Sequence, residues 1–125
     1  MVELLVVGAG GFVGSVLRFA LGGALQRAFP LGGFPLGILI VNVIGCAAIG
    51  IASGMAESRE ILSGELRLFI VVGVLGGFTT FSTFANDGVA MLHDRAFGEA
   101  LATVALHVVL GFAAVWLGHR LASIP

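Results

Sequence analysis

The stretch GGFTTFSTF, Gly76 to Phe84, decides how this chain is read. It lies inside a long apolar segment. Two glycines loosen the backbone, and four hydroxyl residues (Thr79, Thr80, Ser82 and Thr83) are then interleaved with phenylalanines. In lipid, every backbone N–H or C=O released from a helix must find a partner in protein, an ion or water. An unwound, hydroxyl-rich stretch at membrane depth therefore lines a cavity, binds an ion or sits at a subunit interface.

The surrounding sequence supplies the membrane. The 125 residues are 58% hydrophobic and 10% charged, with a mean hydropathy of +1.13. A soluble domain carries about 25% charged residues. At roughly 20 apolar residues per crossing there is room for four spans. Apolar segments run from about residues 4–25, 36–55, 66–92 and 98–121. They are separated by Arg27-Ala-Phe-Pro30 with Gly32, Gly33 and Pro35, by a charged link (Glu57, Arg59, Glu60, Glu65, Arg67), and by His93-Asp94-Arg95. The expected fold is an all-α, four-helix membrane domain over residues 1–125, with the third helix broken mid-membrane. Small residues recur four apart in Gly10/Gly14, Gly50/Gly54 and Gly73/Gly77, a spacing that favours close helix contact.

Several classes fall away. There is no basic patch and no tyrosine, so nothing points to nucleic acid. Cys46 sits in an apolar run and reads as a small packing residue. Glu3 stands where a leader would be basic, so the first segment is expected to be a span rather than a cleaved signal. Orientation is weakly specified: Arg59, Arg67 and Arg120 share one side, Arg27 and Arg95 the other. A chain with so small a bias is able to insert both ways round and pair with an inverted copy of itself.

Polar groups inside the membrane are functional candidates because they are costly there. Arg18 either snorkels, caps a neighbouring helix end, or fixes a positive charge at an anion vestibule. Asn42 either makes an interhelical hydrogen bond or offers its amide N–H groups to a small anion. Asp87 reads as an interfacial residue, a cation ligand or a proton carrier. His107 reads as a core histidine or as a pore-facing group whose charge changes near neutral pH. Phe81 and Phe84 share a helix face, and a phenylalanine edge carries positive quadrupole character that suits a partly dehydrated anion.

At these residues the chain resembles the Fluc (CrcB) family of fluoride channels over its full length. The carrying residues are Gly11-Phe-Val-Gly14 with Arg18, Pro35-Leu-Gly37-Ile-Leu-Ile-Val-Asn42 with Gly45, and above all Gly76 to Phe84. The resemblance implies an antiparallel, dual-topology homodimer in the inner (plasma) membrane, with two fluoride pores along the dimer interface. It implies that the ring edges of Phe81 and Phe84 meet fluoride and that Asn42 serves conduction, with Ser82 and Thr83 beside them. It also implies a structural Na+ at the dimer centre, held by the backbone carbonyls of Gly76 and Thr79 from both subunits. Arg18 matches the family's first-helix arginine, and Asp87 takes the place of an acidic residue near a vestibule. Two departures stand out. Ile38 replaces a frequent threonine, and the polar track of the fourth helix becomes Thr103, His107 and Gly111.

The activity implied is passive and non-enzymatic: fluoride leaves down the membrane potential, relieving fluoride toxicity. No phosphate-binding loop is present, and no pair of histidines and acids shares a helix face as hydrolytic chemistry would need. A small multidrug exporter of similar size needs a carboxylate within its first helix, yet the only acid near there is Glu3, outside the apolar run. A non-conducting assembly subunit would use the glycine pairs but not Phe81, Phe84 and Asn42 together. A pore-facing His107 predicts a flux that changes between about pH 5.5 and 7.5.

Overall fold

Apolar runs bounded by glycine, proline and charge wind into helices because lipid leaves the backbone no other partner. The computed structural model describes residues 1–59 and 64–123. Glu60 of the charged link and the side chains of Glu57 and Arg59 lie outside what it describes. Helix α1 is Val2–Ala28 and α2 is Leu36–Arg59. The third span begins with α3, residues 64–78, which comprises Gly64–Arg67, a wide π-helical stretch Leu68–Leu75, and Gly76–Phe78. After a two-residue break it resumes as α4, Phe81–His93, and α5 is Phe97–Ala122. Four spans of 27, 21, 30 and 26 residues are long and apolar enough to cross a membrane. The expected segments match them to within a few residues, and the described residues contain no strand.

The spacing of small residues sets the packing. α1 lies against α3 and α2 against α5. A Cβ added to Gly10 would meet the Gly73 Cα at 2.9 Å, and one added to Gly77 would meet the Gly11 carbonyl at 2.6 Å. Gly14 lies directly on the backbone of Val74. The Gly10/Gly14 and Gly73/Gly77 pairs are thus two halves of one seam. On the other side, Gly50 and Gly54 face the backbone of Val115 and His119. With side chains absent from both seams, the backbones approach closely enough for dispersion to hold the helices in lipid.

Large apolar groups point the other way. Phe12, Phe19, Phe81 and Phe112 are each more than 70% exposed, while the buried apolar set is Leu39, Val41, Ala52, Leu75, Phe78, Met91 and Ala100. This distribution suits a hydrocarbon solvent. Between α1 and α2, Gln26 braces the turn. Its amide donates to the Phe34 carbonyl (2.9 Å) and accepts from the Gly37 N–H (3.0 Å).

Candidate functional site

The site is built around the break in the third span. A helix stops at Phe78 because Thr79 takes extended dihedrals (φ −84°, ψ 156°), and Thr80 follows in the same region. Carbonyls at the end of α3 then lose the N–H groups that a continuous helix would bring them. The replacements come from far away in sequence. Arg18 of α1 donates from Nη1 to the Thr79 carbonyl at 3.3 Å. Asn42 of α2 donates from Nδ2 to the Thr80 carbonyl (3.1 Å) and accepts the Thr80 N–H on Oδ1 (2.8 Å). Because Thr80 N–H goes to Asn42, the Gly76 carbonyl is relieved of its helical donor.

Thr80 also starts α4. Its Oγ1 accepts the Thr83 N–H at 3.2 Å, the ordinary helix N-cap bond, and lies 3.0 Å from Thr83 Oγ1 and 3.4 Å from Ser82 Oγ. The Thr79 hydroxyl donates back to the Leu75 carbonyl at 3.0 Å. The hydroxyl-rich run is therefore spent largely on closing two helix ends inside a membrane-spanning segment.

An aromatic ladder rises from the break. Phe81 meets Phe84 edge-on, with ring centroids 5.4 Å apart and planes at 61°. Phe84 in turn lies 4.3 Å from the His107 ring, tilted by 34°. Asn42, Thr79, Thr80, Phe81, Phe84 and His107 line one open-sided cavity of 410 Å³. His107 also borders a second cavity, 550 Å³, that follows α2 and α5 past Cys46, Ser53 and Trp116 to His119. A third, 450 Å³, lies near the α1–α2 turn and carries Gln26, Thr83, Asp87 and Asp94.

Phe81, Phe84, Asn42, His107, Gly76 and Thr79, separate in sequence, thus share the first cavity. Thr83 and Asp87 belong to the third. Arg18 is half-buried and turned to the Thr79 carbonyl, which is the helix-capping alternative among its readings. Ser82 is exposed next to Thr80. Thr103 is fully buried and directs its hydroxyl to the Met91 sulfur at 3.6 Å, outside the linings of all three cavities. Asn42 commits both ends of its amide to Thr80, which leaves one N–H of its NH₂ for another partner.

Sequence reasoning passed over Thr80 as a site residue and Gln26 altogether. Thr80 carried a usable signal, a threonine immediately before a helix with a hydroxyl residue three positions on. Gln26 carried none beyond being a polar residue near a glycine-rich turn.

Comparison with known proteins gives the family. The family described as CrcB-like protein, Camphor Resistance (CrcB), matches residues 5–119. The Rhizobium meliloti protein named fluoride-specific ion channel FluC is 44% identical over 122 residues, covering 97% of this chain and 96% of the relative. The protein of the same name from Elusimicrobium minutum is 43% identical over 122 residues, 98% of this chain and 94% of the relative. That from Methylobacillus flagellatus is 36% identical over 121 residues, 97% and 94%.

Proposed function

This chain belongs to the CrcB-like family, and from that premise we propose that it is a fluoride-selective channel that lets fluoride leave the cell passively. The observation that carries the reading is the convergence of Phe81, Phe84, Asn42 and His107 on one cavity beside the broken span. Such a wall suits a small anion. Aromatic edges offer positive quadrupole, the remaining Asn42 N–H is a donor, and no carboxylate lines the cavity among the described residues.

Fluoride must exchange tightly held water for short, strong donors, and a larger halide gains less from the same groups. In the proposed path the ion enters past hydroxyls, meets the edges of Phe81 and Phe84 in file, and leaves beyond His107. Binding must stay weak enough for release at each step. The membrane potential supplies the drive, about 2.3 kcal/mol per charge per 100 mV.

Two antiparallel copies in the inner membrane complete the proposal, with a pore on each side of their interface. The supports are the weak arginine bias and the cavity, which is open-sided in a single chain and has Phe81 79% exposed at its edge. A structural Na+ between the copies fits the carbonyl chemistry. Gly76 and Thr79 lie where helical N–H partners are withdrawn, and unwound carbonyls are the donors that hold sodium in membrane proteins. The Thr79 oxygen has a second lone pair beside the one taken by Arg18. When bound, the ion would supply a fixed charge tying the two breaks together.

The test is efflux from liposomes loaded with potassium fluoride after addition of valinomycin, followed with a fluoride electrode, with chloride-loaded vesicles and Phe81→Ile alongside. Fast fluoride efflux, negligible chloride efflux and an inactive variant are expected. No fluoride efflux from well-folded protein would overturn the reading.

A further inference from the structure

The ring of His107 has its two nitrogens in unlike situations. Nδ1 lies 2.8 Å from the Thr103 carbonyl one turn back. A carbonyl only accepts, so Nδ1 carries the hydrogen. In the neutral ring that leaves Nε2 as a bare lone pair. Nε2 is buried and has no hydrogen-bond partner among the described residues, an unfavourable situation for a polar group. The residue also borders both the cavity beside the break and the one that runs to His119. His107 shares this double position with Cys46 and Phe112.

A lone pair repels an anion, whereas an N–H attracts it. The geometry points to His107 as the anion donor at the junction of the two cavities, one that donates through Nε2 only after taking up a second proton. The inference rests on the fluoride reading above and deepens it: the ion and a proton are held together at this point of the path, and fluoride occupancy rises as pH falls. Titratable groups stand on the elements packed around the ring. From α4 comes Asp87, which lines the third cavity. From α2, Cys46 lines both cavities. On α5 itself, His119 lines the far end of the second cavity. Among the described residues, no carboxylate lines either cavity to compete with the anion.

The experiment is fluoride efflux from liposomes at pH 7.5, 6.5 and 5.5, with protein-free vesicles subtracted at each pH, for the unaltered protein, His107→Gln and His107→Phe. Each is first checked for a monodisperse profile on size exclusion. The unaltered channel is expected to speed up about fivefold from pH 7.5 to 5.5. His107→Gln, whose amide donates permanently, is expected to lose the slope while still conducting. His107→Phe is expected to be slow and flat. A flat profile for the unaltered protein, or an undiminished slope in His107→Gln, would overturn the inference while leaving the channel reading intact. Absence of efflux at every pH would overturn the channel reading instead. In that event ¹⁵N-imidazole spectra decide the inference separately: added fluoride must move His107 from one protonated nitrogen to two, and no movement sinks it.

Discussion

The two sides of the bundle solve opposite problems. Along the α1–α3 seam, Gly10, Gly14, Gly73 and Gly77 bring backbone onto backbone and leave no volume. Across the break, Asn42, Thr80, Phe84 and His107 hold polar groups around volume that is kept open. The first seam gains its stability from the removal of side chains. The second spends hydrogen bonds to keep an unwound segment in place. A membrane channel needs both, because a path for an ion has to be fixed by something that is not itself a path.

Substitutions can break this contrast. The largest effect is expected on the dry side. Gly14→Val puts a side chain into the Val74 backbone, where no rotamer change relieves it. It should cost more than about 3 kcal/mol, beyond ordinary overpacking, and appear as loss of a monodisperse peak in detergent. Next comes Asn42→Leu, which strands both polar groups of Thr80. A loss of about 2–4 kcal/mol is expected in thermal unfolding, together with lost fluoride efflux. Arg18→Gln shortens the reach to the Thr79 carbonyl and should cost about 1 kcal/mol, since that bond is long at 3.3 Å. Phe81→Ile sharpens the comparison from the other end. Its ring is 79% exposed within one chain, so the fold of the single chain should lose less than about 1 kcal/mol, while fluoride efflux falls at least tenfold by the ratio of initial rates, about 1.4 kcal/mol in the barrier. Equal losses of stability and flux in Phe81→Ile would mean that the ring packs rather than conducts.

The four spans and the break were readable from Gly76 to Phe84 and the segments around it, because hydrocarbon admits so few backbone solutions. The glycine pairs were readable as contact faces, although not which pair meets which. What the letters withheld is rotation about each helix axis. These spans are apolar all round, so no polar face declares which side turns inward. Thr103 and His107 are one turn apart in sequence, yet one is fully buried against Met91 and the other stands between two cavities. Arg18 finds its acceptor 61 positions away and Asn42 finds both of its bonds 38 positions away. Such pairings exist only after the helices have docked.

The bond pair between Asn42 and Thr80 has a further consequence. A side chain that meets both the N–H and the C=O of one residue does what an antiparallel neighbour does in a sheet, over a single rung. The third span is thus two rods joined by two extended residues, Thr79 and Thr80, and welded at the second, in a chain whose described residues form no strand. A weld has one angle, whereas a hinge has many. A substitution that removes Asn42 takes away both bonds of that rung at once, and with them the side chain that sets the angle between the rods.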